Sequence, residues 1–137
     1  MRRPASSLLE MLIVCVIVGL VAAMAAPRVH AALDSIAVEG AAREVADAFA
    51  VGRLAALRYG SADVRLDSTS ITVRAGGRVV HARNIVAGHG VNMRANTTVV
   101  RYAATGLGLG VGNGTVILSK GAAMDSIVIS RLGRVRR

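Results

Sequence analysis

The chain has 137 residues, room for one small domain beside a helix, and 17 Lys and Arg against eight Asp and Glu give a formal charge of +9. One cysteine, Cys15, excludes an internal disulfide. His30, His81 and His89 show no metal-ligand spacing with it or with each other, so no metal, cofactor or catalytic residue is expected.

The N-terminus reads Arg2-Arg3-Pro4-Ala5-Ser6-Ser7-Leu8-Leu9-Glu10, followed by sixteen uncharged, almost wholly apolar residues, Met11 to Ala26. A carboxylate at the centre of a membrane helix costs about 2.5–3.5 kcal/mol. Glu10 sits near the end of the run, where the cost is lower, yet it still needs a partner, and such residues mark function. Arg2 and Arg3 lie before the run, which puts that end in the cytoplasm and the long remainder outside. An ordinary secretory signal ending at Ala23-Met24-Ala25 and a plain signal anchor compete for the same residues. Glu10 at the head of the apolar run and Pro27 just after the cut argue against the first. A lipoprotein signal ending at Cys15 is excluded by bulky Val14 before it.

Ser6-Ser7-Leu8-Leu9-Glu10-Met11-Leu12-Ile13-Val14, continuing to Pro27, resembles the class III signal of type IV pilins and type II secretion pseudopilins. The resemblance implies a leader over 1–5, removed by the prepilin peptidase between Ala5 and Ser6, with N-methylation of Ser6. It implies a transmembrane and filament-core helix over 6–27, with Pro27 as its kink. Glu10, fifth in the implied mature chain, would neutralise the N-terminal ammonium of a neighbouring subunit. Such a buried pair is favoured because either charge alone would be costly. Two positions depart from the family pattern: Ala5 stands in place of glycine and Ser6 in place of phenylalanine.

Beyond Pro27 the pattern stays helical. Val38, Ala41, Val45, Ala48, Gly52, Ala55 and Tyr59 form one uncharged stripe at steps of three and four, widened by Phe49 and Ala56. Glu39, Arg43 and Asp47 line another face as i,i+4 pairs. Gly60 is a natural stop. The helix is thus expected from about Ser6 to Tyr59, roughly 80 Å at 1.5 Å per residue, with 28–60 as its amphipathic half. Pro27, Gly40 and Gly52 suggest a helix that bends on packing, although a simple kink at the membrane boundary explains them as well.

From Asp63 the period becomes two. Val64 and Leu66 alternate with charges, Ile71, Val73 and Ala75 follow, and Gly76-Gly77 reads as a hairpin turn into Arg78–Arg83. Further strands are expected at Asn92–Arg94, Thr97–Tyr102, Thr115–Leu118 and Ser126–Ser130. One long helix followed by short strands predicts an α+β fold, with the helix packed on an antiparallel β-rich domain over 61–137. Gly106 to Gly114 holds five glycines in nine residues but no register of G-x-G-x-x-G, so it reads as a flexible loop, not a phosphate cradle. Tyr102-Ala103-Ala104-Thr105-Gly106 resembles the aromatic strand and glycine turn of the pseudopilin H branch.

The chain ends Ser130-Arg131-Leu132-Gly133-Arg134-Val135-Arg136-Arg137, with Gly133 expected to free the backbone. In an extended segment Arg134 and Arg136 fall on one side. Guanidinium forks match phosphate oxygens, so Arg131, Arg134, Arg136 and Arg137 are candidate phosphate contacts, beside the reading of a solvated, positively charged strand end. Gly133-Arg134-Val135-Arg136 resembles the glycine-arginine-x-arginine tail of the GspH/FimT branch, which in FimT-like members implies binding of incoming DNA during uptake; few aromatics and no recognition helix point to a non-specific mode. The positive excess lies on residues 28–137, but arginine outnumbers lysine sixteen to one, as base composition alone would also produce.

The expected protein is a non-enzymatic minor pseudopilin of the GspH/FimT type. It would be a single-pass inner-membrane protein with its C-terminal domain outside, assembled into a secretion pseudopilus. Its expected partners are other pilin-type subunits, the prepilin peptidase and membrane lipid. The alternatives are a FimT-like pilin that binds DNA, and a signal-anchored or secreted basic module that enters no filament.

Overall fold

The computed structural model describes residues 8–109 and 113–137. They form two compact units, one ending at Leu33 and one running from Asp34 to Arg137. Helix α1 (Leu8–Tyr59) contributes to both and carries Pro27 in its interior without a break. In the first unit its apolar window is long and greasy enough to cross a membrane, and none of it is buried.

In the second unit the helix is followed, among the described residues, by nine short strands and one helical turn. β1 (Ser61–Leu66), β2 (Ser70–Ala75), β3 (Arg78–Asn84), β5 (Val99–Ala103) and β6 (Gly108–Leu109) make a five-stranded sheet in the order β3-β2-β1-β5-β6. β4 (Asn92–Ala95), β7 (Gly114–Lys120), β8 (Ala123–Ile129) and β9 (Val135–Arg136) make a four-stranded sheet in the order β4-β7-β8-β9. Every pairing is antiparallel. The α+β architecture read from the change of period is therefore the observed one.

Strand alternation supplies the core from both sheets. Ala62, Val64 and Leu66 of β1, Val100 and Tyr102 of β5, Val116 and Leu118 of β7, and Ile127 and Ile129 of β8 are buried. They share one cluster with Val38, Ala41, Ala42, Val45, Ala48, Phe49, Ala55 and Ala56 of α1. The helical stripe predicted from spacing is the buried one as far as Ala56. Tyr59 departs from it: half its surface is exposed, Arg58 lies over its ring at 5.7 Å, and its edge covers the hairpin at Gly76.

The two glycines inside this part of α1 have packing reasons. A methyl on Gly40 would touch the His89 ring at 3.1 Å. That ring lies 2.7 Å from Glu44, which also pairs with Arg83 at 3.2 Å, so helix, β3 and α2 (Ile85–His89) meet there. A methyl on Gly52 would collide with Val64 and touch Tyr102 at 3.6 Å. Glycine lets α1 approach the first sheet at its centre, at a propensity cost of about 1 kcal/mol per residue.

Helix α2 was not legible from periodicity, because five residues make too little more than one turn to repeat a pattern. Its punctuation was present: Asn84 accepts the Ala87 N–H at 2.9 Å, and Gly90 closes it at φ +63. The glycine-rich stretch also differs from the expected loop. Gly108 and Leu109 pair with Tyr102 and Arg101 as β6, while residues 110–112 lie outside the described residues.

Gly52→Ala is expected to lower the thermal midpoint, because overpacking a tight site costs about 1–3 kcal/mol and outweighs alanine's helix preference. Gly19, with nothing within 4 Å of an added methyl, supplies the control: Gly19→Ala should leave melting of the β-rich unit unchanged. A Gly52→Ala midpoint at or above the native value would refute the close-approach argument.

Candidate functional site

Two regions singled out from sequence have different surroundings. At the N-terminus, Ala5 and Ser6 lie outside the described residues. Glu10 stands in the first turn of α1, exposed among Leu9, Met11 and Leu12, and among the described residues no basic group pairs with it. Cys15 is likewise exposed.

The C-terminal segment is tied down rather than freed. Ser130 to Arg134 make a turn in which Gly133 N–H donates to Ser130 O at 2.8 Å and Ser130 N–H donates to Arg134 O at 2.8 Å. Gly133 has φ +75, and an added methyl would collide with the Tyr102 ring, so the turn requires glycine twice over. The Tyr102 hydroxyl, itself buried, donates to Gly133 O at 3.2 Å. Gly108 N–H donates to Leu132 O at 3.3 Å, and Arg131 N–H donates to Asn113 Oδ1 at 3.2 Å. Gly133 is thus an anchor, contrary to the loosening role expected of it.

Register then divides the arginines. β9 pairs with β8 through Val128↔Arg136 and Ile129↔Val135, so Val135 and Arg137 fall on the core side and Arg134 and Arg136 on the other. Arg137 bridges Asp125 of β8 and Glu39 of α1, the latter at 3.5 Å, and Glu39 also takes Arg43 at 2.8 Å. Its charge is matched by two carboxylates, which makes it a tie between tail and helix.

Arg134 and Arg136 are exposed and, with Gly133 and Val135, line one wall of an open groove. Ala46, Phe49, Ala50 and Arg53 of α1 form the other wall. Three arginine residues therefore line one groove, and no Asp or Glu lines it. Arginine side chains can take up anions of phosphate geometry.

Arg53 was not singled out from sequence. Its only signal was a position four after Phe49, and nothing local said which loop or strand would face it.

No family model and no curated protein matches the chain. Among solved structures it is similar to the type IV minor pilin FimU of Pseudomonas aeruginosa (strain PAO1) in two crystal forms. The TM-scores are 0.60 and 0.58, at 13% and 14% sequence identity. Each match covers 72% of this chain, and 86% and 90% of the respective FimU chain. The fold is pilin-like.

Tyr102 holds the groove wall in place, and burial pushes its phenol above the ordinary range, with nearby Arg53 pulling the other way by less. The sign follows: its contribution to stability is complete below the ordinary phenol value and is lost as pH rises through the raised one. Tyr102→Phe, leaving the Gly133 carbonyl unpaired, should cost about 1–3 kcal/mol at neutral pH. It should also flatten stability loss above about pH 10 in a denaturant series, that being the ordinary tyrosine range. An unchanged alkaline limb would show that some other group controls it.

Proposed function

We propose that this chain is a minor pilin-like subunit, held in the inner membrane by residues 6–27 and then assembled beside other pilin-type helices. The observation that carries this reading is the wholly unburied apolar length of α1 in a chain of pilin-like fold. Exposed apolar surface on that scale needs lipid or other helices around it. Glu10 supplies the pairing chemistry: a carboxylate in apolar surroundings is stabilised by a neighbour's N-terminal ammonium and penalised without it. The prepilin peptidase would release that ammonium by cutting after Ala5 and then methylate Ser6. With Arg2 and Arg3 cytoplasmic, the β-rich unit lies outside the membrane. Assembly and binding, not catalysis, are the activities proposed, with a type II secretion pseudopilus as the setting.

In cells, native chain should appear in the sheared filament fraction with methyl-Ser6 as its first residue by peptide mass. Glu10→Gln should stay in the membrane fraction. Equal recovery of the variant from filaments, or a mature chain starting at Ala26, would end the pilin reading.

The groove bordered by Arg53, Arg134 and Arg136 favours a second reading, in which the subunit holds DNA non-specifically during uptake. Phosphate neutralisation makes log K fall with log salt at a slope near −0.9 per contact. Arg134→Ala with Arg136→Ala should weaken binding and shallow that slope by about two. A slope identical to the native one would remove these arginines from any phosphate contact.

A further inference from the structure

The outer face of the five-stranded sheet carries a group of arginines apart from those of the tail groove. Register sets Asp63 of β1 directly opposite Arg74 of β2 and Arg101 of β5, so the three make one row across the strands. Arg65 lies two residues along β1, on the same face. These four side chains line an open depression with Ser61 and the Gly76-Gly77 hairpin.

Arg101 donates to both Asp63 oxygens, at 2.8 and 3.4 Å. Among the described residues neither Arg65 nor Arg74 forms an ion pair. Asp67 borders the adjoining depression, where its carboxylate accepts the Ser68 N–H at 2.9 Å. The Arg101 hydrogen bond, with the added fields of Arg101, Arg65 and Arg74, holds the Asp63 carboxyl below its usual range despite partial burial.

The row does not stop at β5. Leu109 of β6 lies opposite Arg101, and β6 touches the C-terminal turn through Gly108 N–H and Leu132 O. At about 4.8 Å per strand, the path from Arg74 to that turn is roughly 19 Å. No aromatic side chain lines either depression on this face, and the larger apolar residues beside the arginines are Val79, Val99 and, on β6, Leu109. Protein interfaces are centred on aromatic anchors, whereas nucleic-acid interfaces are polar and strongly positive.

We propose that the outer face of β2, β1 and β5 is a binding surface for a phosphodiester backbone, with Arg65 and Arg74 on phosphates and Asp63 holding the Arg101 fork as an internal stand-in for one. The surface continues across β6 to the turn that carries Arg131 and Arg134. The proposal rests on the DNA reading above and extends it to Asp63, Arg65, Arg74 and Arg101, none of which lines the tail groove. Asp63 gives it a sign that a merely sticky surface lacks: removing one acid should improve binding.

The test uses the full-length chain in neutral detergent micelles and a fluorescent random-sequence duplex, titrated over a salt series. Arg65→Gln with Arg74→Gln should weaken binding and shallow the salt slope by about two, while Asp63→Asn should tighten it several-fold. Arg65→Lys with Arg74→Lys keeps the charge without the fork. It should bind more weakly than native at the native slope, and it serves if the Gln pair fails to fold by circular dichroism. Native-like binding and slope in the face variants, with loss only in Arg134→Ala/Arg136→Ala, would overturn the sheet site and leave the tail reading standing. No change or weakening in Asp63→Asn would overturn it as well. A native chain that retains no duplex overturns both, and preferential competition by polyglutamate over a phosphodiester of equal charge assigns the face to an acidic protein instead.

Discussion

The Tyr102 ring is buried between Gly52 of the helix and Gly133 of the C-terminal turn, and its hydroxyl donates to the Gly133 carbonyl. With only three aromatic residues in the chain, this one side chain brings α1, the first sheet and the end of the second into a common contact. Both contacts depend on glycine, because a methyl at either position would collide with a neighbouring side chain. The remainder of the interior is aliphatic and alanine-rich, so close approach does what bulk does in a core with more aromatics. Once Gly133 is pinned, β9 must pair with β8, and the alternation of the last four residues is settled.

That alternation separates arginines that hold the fold from arginines that remain available. Arg137 and Arg101 are matched by carboxylates, whereas Arg134 and Arg136 border a groove that contains none. Exposed pairs of the first kind are worth little individually. Their larger effect is to subtract charge from some places and leave it at others. A formally uniform positive excess thereby becomes two surfaces of distinct composition, one at the tail and one on the sheet.

The first unit follows different physics. Its apolar window is wholly unburied, so the hydrophobic effect favours insertion into lipid or a bundle of similar helices. In the proposed assembly Glu10 would act in that setting, since in water a carboxylate needs no amine. The β-rich unit, by contrast, finds its partners within itself.

The sequence by itself determined the long helix, seven of the nine described strands and, Tyr59 aside, the buried face of the helix. Period 3.6 over Val38–Ala56 and period two from Asp63 onward are local consequences of how side chains leave helix and strand. Glu10 and the apolar run were equally legible, because a charge beside a membrane-length segment stands out without any neighbours. Tyr59 was misplaced for the same reason: its spacing continues the stripe, but the sheets beneath it end. Only the tertiary structure decided that Gly133 anchors, that Arg137 is neutralised, that Arg53 joins Arg134 and Arg136, and that Asp63 sits between Arg74 and Arg101. Each of these depends on strand order and register between segments tens of residues apart, and local side-chain periodicity carries no information about which segment will lie beside it.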